Sequence, residues 1–383
     1  MRRFIAGCLI AFFVMSSAQA QAQRCCMYTR PSSLLDDFLE ANMVVAGRFR
    51  NSVGPNNALP NGQVELMFDS ILRTHDAIKG KKSILLARQV NSEDRFLVAL
   101  ELSKRNIEAS RGVLADAQGE TERFIRGALA LRDKSQPART RYAVDFLGSS
   151  CSEVAFSARI EVERASYADL RKVAEKMQPG PLVKALQNSK TSYDQCQTFA
   201  MLLGHCGSKQ DAVVLRKLID DCVRNNKSIA PGYLFGYVLL EPVAGWEYVT
   251  KLSVKKDQTF LQRYTALWTI RRLAEDRPDI HDMKKCTEAM VRIFEVPDLA
   301  DYAIEELRRW KRWEHCDAIL ALAGKRAYDT AVMRRTILRF ALECPTPAAK
   351  TFVSIERSKD AEWVADTEEL LAIERGDYLG PKK

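Results

Sequence analysis

Histidine is scarce in this chain. There are four in 383 residues, at positions 75, 205, 281 and 315. With the imidazoles so far apart, a multi-histidine metal centre has no local framework. No CxxC or HxxxH pair occurs, so the common spaced-ligand zinc sites are absent, and without CxxCH there is no haem attachment site. Neither GxGxxG nor GxSxG occurs, which removes the dinucleotide-binding fingerprint and the nucleophile elbow. Gly80-Lys81-Lys82-Ser83 comes nearest to a phosphate loop, but His75 stands where the earlier glycine belongs and Lys82 where Ser or Thr belongs. No apolar run approaches the ~20 residues that span a bilayer, so no transmembrane segment is expected. These absences point to no cofactor and no resident metal.

Like charges do not gather into a block either. Lys and Arg outnumber Asp and Glu by 58 to 49, giving +9 at pH 7, and the excess is spread along the chain. A mild, diffuse positive charge fits an acidic protein or an anionic polymer as partner. The first twenty residues read as a signal peptide that directs export to the periplasm or beyond. Arg2 and Arg3 form the charged start, Phe4 to Met15 the short apolar core, and Ala18-Gln19-Ala20 the small-residue cleavage site. Outside the cytoplasm, nucleic acid is not expected as a partner. Loss of the leader removes Cys8 and leaves nine cysteines: 25, 26, 151, 196, 206, 222, 286, 316 and 344. An odd number leaves at least one thiol unpaired in a monomer, and most sit at apolar positions of helical patterns, where a buried free thiol is the default.

The pattern changes near residue 115, giving an α+β chain with a β domain at 21–115 and a helical domain at 116–383. Ser33 to Ala41 reads as a short helix. Met43–Arg50, Gln63–Ile71, Ser83–Gln89 and Arg95–Leu102 read as strands, rich in Val, Ile, Leu and Phe and partly alternating. Four or five short strands in this length suggest a small barrel or sandwich. From Ala117 onward the period becomes helical, and Ser166-Tyr167-Ala168-Asp169 is a capping-box pattern. Residues 262–273 resemble residues 299–310, and Tyr264 and Tyr302 occupy matching places. A third unit contains Val332 to Phe340. Two helices per unit at a period near forty indicate HEAT-like repeats, which stack into an α-solenoid.

Two resemblances rest on these residues. A cysteine before a short helix, Ala46-Gly47-Arg48 on the first strand, Ile78-Lys79-Gly80 after the second and Asp94 to Val98 opening a later one resemble the netrin-like, OB-type barrels of secreted proteins. That resemblance implies a barrel over about residues 25–115. It also implies protease inhibition through an N-terminal cysteine that ligates the protease zinc, although Cys25-Cys26 departs from the usual spaced cysteines. Ser166 to Asp169, Leu202 to Gly207, Phe260 to Tyr264 and Ile304 to Trp310 resemble uncharacterised exported bacterial proteins in which HEAT-like helices follow a small β domain. No activity follows from that likeness.

Two stretches carry candidate chemistry. Gly204-His205-Cys206-Gly207 places a possible nucleophile beside a possible base. Adjacent residues on a helix point about 100° apart, so they rarely meet at one reacting atom. The simpler reading is a helix corner, with Gly204 or Gly207 supplying a C-cap conformation closed to other residues and Ser208 to Asp211 capping the next helix. Arg308-Arg309-Trp310-Lys311-Arg312-Trp313 interleaves basic and aromatic residues, as binding hot spots do. The expectation is a non-enzymatic binding or scaffold protein using a helical-repeat surface that includes Arg308 to Trp313. The alternatives are a hydrolase or redox enzyme using His205 and Cys206, and protease inhibition by the β domain.

Overall fold

The computed structural model describes residues 33–103 and 106–376. The expected leader, its cleavage site and Cys25-Cys26 lie outside the described residues. Helix α1 (Leu34–Glu40) comes first, opened by a capping box in which Ser33 and Asp36 bond each other's backbone N–H. Five strands follow: β1 (Met43–Val53), β2 (Gln63–Arg73), β3 (Ser83–Leu86), β4 (Arg95–Ser103) and β5 (Asn106–Leu114). They form one antiparallel sheet in the order β3-β2-β1-β4-β5. No hydrogen-bonded ladder joins β3 to β5, so the sheet does not close.

The alternation along β1 explains why both faces of this sheet are buried. Met43 and Val45 point to one side with Leu66, Val98 and Leu100, where the sheet curls over a small core of its own. Val44 and Ala46 point to the other side with Leu97, Ala99 and Val113. That side joins α1 and the following helices in one continuous core. Leu34 N–H donates to Ser157 Oγ at 2.9 Å, and Arg164 grips Asp36 with two hydrogen bonds of 2.5 and 2.6 Å. The expected boundary near residue 116 is thus a change of secondary structure that one apolar core crosses.

The remaining helices are α2 (Glu120–Ala130), α3 (Gln136–Val144), α4 (Ser152–Arg164), α5 (Tyr167–Ala174), α6 (Pro179–Gln187), α7 (Tyr193–Cys206), α8 (Lys209–Arg224) and α9 (Pro231–Leu240). They continue with α10 (Pro242–Ser253), α11 (Phe260–Asp276), α12 (Met283–Arg292), α13 (Ala300–Arg309), α14 (Cys316–Leu320), α15 (Ala331–Glu343), α16 (Pro347–Lys359) and α17 (Ala361–Arg375). Their starts follow local chemistry. Ser166, Ser192, Thr259, Asp282, Thr330, Thr346 and Asp360 are side-chain N-caps, and proline opens α6, α9, α10 and α16. None of the helices among the described residues is long and apolar enough to cross a membrane.

Helices α3, α5, α7, α9 and α11 pack in succession, as do α13, α15 and α17. Arg263 joins the two runs, donating to both oxygens of Asp298 at 2.7 Å, and Tyr264 meets Tyr302 edge-on at 5.0 Å between ring centroids. The two tyrosines that occupy matching places in residues 262–273 and 299–310 thus touch.

The helix corner at 204–207 differs in one respect from the sequence expectation. Gly207 is the C-cap of α7, but its φ of −82° is open to any residue, so no left-handed cap is required there. The demand for glycine comes instead from packing. A Cβ on Gly204 would stand 2.7 Å from the Gly236 Cα, because α7 and α9 cross backbone against backbone.

Candidate functional site

Arg308 and Arg309 lie in the last turn of α13, and Trp310 caps its end. Lys311, with φ of 55°, turns the chain, so the six residues do not share one face. Arg308 points inward and is only 5% exposed. Its guanidinium donates to Glu305 at 2.8 Å, to Glu343 of α15 at 2.7 Å and to Glu374 of α17 at 2.7 Å. Burial works against its charge, yet these carboxylates hold its pKa above the ordinary arginine value. Arg339 bridges Glu305 and Glu374, and Arg375 lies 3.7 Å from Glu343. Three arginines and three glutamates thus tie α13, α15 and α17 together. Trp313 stands edge-on to Phe340 at 5.2 Å, and Trp310 packs on the same core. Arg312 is half-buried, while Arg309 and Lys311 are exposed. Arg309 pairs with Glu306 at 3.1 Å. Of the expected binding stretch, Arg308, Trp310 and Trp313 serve packing between helices, while Arg309 and Lys311 stay on the surface.

His205 and Cys206 diverge. The Cys206 thiol donates back to Leu202 O at 3.5 Å, and burial pushes it up to about 11. The His205 ring lies 5.4 Å from that of Tyr167, with Nε2 buried and without a hydrogen-bond partner among the described residues. Burial first, then the charges of Arg277 and Arg171, push its pKa down to about 4. An activated cysteine–histidine pair needs a lowered thiol pKa and a base near neutrality. These two groups are shifted the opposite way. Among the described residues, no cluster of three or more His, Cys, Asp or Glu side chains is arranged to hold a metal ion.

The surface holds two other arrangements. Phe260, Tyr264 and Trp268 recur every four residues along α11 and so occupy one face. Phe260 stacks on Tyr264 at 5.9 Å, and both approach Tyr302 of α13. Beside them, a groove of about 610 Å³ is lined by Tyr193, Ser228, Pro231, Leu261, Tyr264 and Trp268. Tyr193 is 50%, Leu261 54% and Tyr302 40% exposed, so this is apolar surface left open to water. The second groove, of about 600 Å³, lies between α15 and the junction of α16 and α17. Arg334, Arg335, Arg339 and Lys359 line it with Trp363, against Glu356 and Asp360. Arg335 forms no ion pair among the described residues. The pairs Glu305–Arg339 and Arg308–Glu343 run in step along α13 and α15, so the two helices lie parallel, and one turn before the first pair stand Tyr302 and Arg335. The aromatic row therefore leads toward the basic groove.

The sequence carried a signal for the row in the four-residue spacing of aromatics on α11. It carried none for the basic groove, whose walls come from α15 and from the α16–α17 junction. Comparison of the chain with family models, with curated proteins and with solved structures gives no match.

Proposed function

We propose that this is an exported, non-enzymatic binding or scaffold protein. In this reading an OB-type β domain leads a HEAT-like solenoid, whose surface holds an extended anionic macromolecule. The observation that carries the reading is the open aromatic row of α7, α11 and α13, which leads toward the basic groove of α15–α17. Exposed contiguous aromatic surface is a mark of an interaction site. A shallow groove rimmed by rings and arginines suits a long ligand better than a small enclosed one. The successive packing of α3 to α11 and of α13 to α17 supports the solenoid, as does contact between the repeat-equivalent Tyr264 and Tyr302. The OB-type reading draws on β1, which pairs with both β2 and β4 and brings β3 near β5. Export rests on the leader sequence alone, and this reading places the protein in the periplasm or outside the cell.

Binding of poly-L-glutamate and dextran sulfate to the immobilised chain, with neutral dextran as control, tests the proposal. Polyanion binding should weaken as salt rises, because screening cuts exposed charge–charge attraction. Tyr264→Ala and the Arg334→Glu/Arg335→Glu pair should each reduce it at least tenfold. Polyanion binding that neither change affects, or no binding at low salt, would refute the reading.

A further inference from the structure

Cys316 opens α14, and Cys344 caps the end of α15. Both are buried, each 3% exposed. Both thiols meet the same hydroxyl. Thr346 Oγ1 donates to Cys316 Sγ at 3.1 Å and lies 3.3 Å from Cys344 Sγ. Two sulfurs held this way are no further apart than the sum of those distances. Thr346 is itself fixed as the N-cap of α16, accepting from Ala349 N–H at 3.3 Å, so the three groups have a common anchor. Burial raises the Cys316 pKa, and the neighbouring Cys344 thiol adds to that rise. Cys196, Cys206 and Cys286 each point their sulfur at a backbone carbonyl, of Thr191, Leu202 and His281.

We propose that Cys316 and Cys344 form a disulfide when the chain folds in the presence of a disulfide oxidant, joining α14 to the end of α15. A disulfide needs its Cβ atoms about 3.5–4.5 Å apart, a spacing set by the backbone, so bond formation calls for that spacing from a small shift of five-residue α14 and for side-chain rotation to bring the two sulfurs together. Once buried, neither thiol is accessible, so the bond forms during folding. One cysteine, as its thiolate, attacks the disulfide of a dithiol oxidoreductase or of oxidised glutathione. Its S–S bond breaks, a mixed disulfide forms, and the departing thiolate takes up the proton released by the cysteine. The second cysteine thiolate then displaces the remaining carrier sulfur, which takes up the second proton. The two cysteines lose two electrons and two protons, and the carrier gains them as two thiols. The bond closes the loop from residue 316 to residue 344, which holds α14, the turn at Arg326–Tyr328 and all of α15.

The full chain, refolded from denaturant in reduced and oxidised glutathione, tests this wherever the protein resides in the cell. Thiols are blocked with N-ethylmaleimide under denaturing conditions, and non-reduced tryptic peptides are mapped by mass spectrometry. The expected result is a cross-linked pair containing Cys316 and Cys344, 2 Da lighter than the two thiol peptides and lost on reduction. Reduction should also lower Tm by on the order of 5 °C, since a loop of this length loses its entropic constraint. The same treatment should leave a Cys316→Ala/Cys344→Ala variant unchanged. Full alkylation of both cysteines in the oxidised protein, or pairing of either with another cysteine, overturns the proposal. The peptide map of the wild-type chain decides this even if the double variant does not fold. A failure here leaves the polyanion reading standing, because the two experiments share no readout.

Discussion

Replacing Arg308 with methionine keeps the length of the side chain and removes its charge. An exposed ion pair contributes about 0–1 kcal/mol. Arg308 is a different case, because it is 5% exposed and donates to three carboxylates at 2.7–2.8 Å. Removing one member of a buried charged set costs about 3–5 kcal/mol, since the partners stay desolvated without compensation. Here Glu374 is 37% exposed, and Arg339 remains beside Glu305 and Glu374, so the lower end, about 3 kcal/mol, is expected. Arg308→Lys keeps the charge but cannot reach three acceptors with one planar fork, and should lose roughly half as much. Urea unfolding followed by circular dichroism at pH 7 measures both.

The pH dependence supplies an independent signature. Burial works to raise the Glu374 pKa, but the hydrogen bond and charge of Arg308, with Arg339, outweigh it, and the folded value lies below the ordinary 4.5. Its contribution is therefore complete above about 4.5 and is lost as pH falls through the folded value. Without Arg308 the folded Glu374 value rises, so the deficit of Arg308→Met should shrink as the pH is lowered through it. A variant within about 0.5 kcal/mol of wild type at pH 7, the range of ordinary surface changes, would refute the reasoning. So would a deficit that grows on acidification.

Gly204→Ala should destabilise by about 1–3 kcal/mol through the α7–α9 crossing. Gly180→Ala, where a Cβ meets nothing within 4 Å, should not, and urea midpoints compare the two. The folded His205 pKa, about 4, lies below the ordinary 6.5, so the unfolded chain takes up a proton first and stability falls as pH drops from 6.5 toward 4. His205→Gln should flatten that slope in a series of urea melts, and an unchanged slope would assign the loss to other groups. Cys206, with its thiol pushed up to about 11, should react with iodoacetamide at pH 8 at least tenfold more slowly than free cysteine. Cys206→Ala should cost on the order of 1 kcal/mol. Peptide mapping that finds Cys206 alkylated as fast as free cysteine contradicts this.

Features set by neighbouring residues were legible in the sequence. Ser166 caps its helix as its spacing with Asp169 implies, and the strand patterns at Met43, Gln63, Ser83 and Arg95 begin where strands begin. Tyr264 and Tyr302, which occupy matching places in the similar stretches 262–273 and 299–310, touch. Strand β5 was not legible, because it buries only Ala109 and Val113 and so carries almost no alternation. The role of Arg308 was hidden for another reason. Glu343 and Glu374 lie 35 and 66 residues away, and no local pattern encodes which carboxylates an arginine will meet. A basic–aromatic stretch looks the same whether it faces a partner or the protein's own next helix.

The core shared between the sheet and α1–α4 bears on how the chain is made. Asp36 waits for Arg164, 128 residues later, and Leu34 waits for Ser157. A chain that emerges from its N-terminus completes β5 while the covering helices are still being synthesised. At 5–20 residues per second, the roughly fifty residues from Leu114 to Arg164 take about 3–10 s. During that interval only α1 covers the sheet face bearing Val44, Ala46, Leu97 and Val113, and the rest of that face is open to any other apolar surface. Slower delivery of this stretch, from the ribosome or across a membrane, lengthens the exposure in proportion, so the yield of folded protein should depend on how fast these residues arrive.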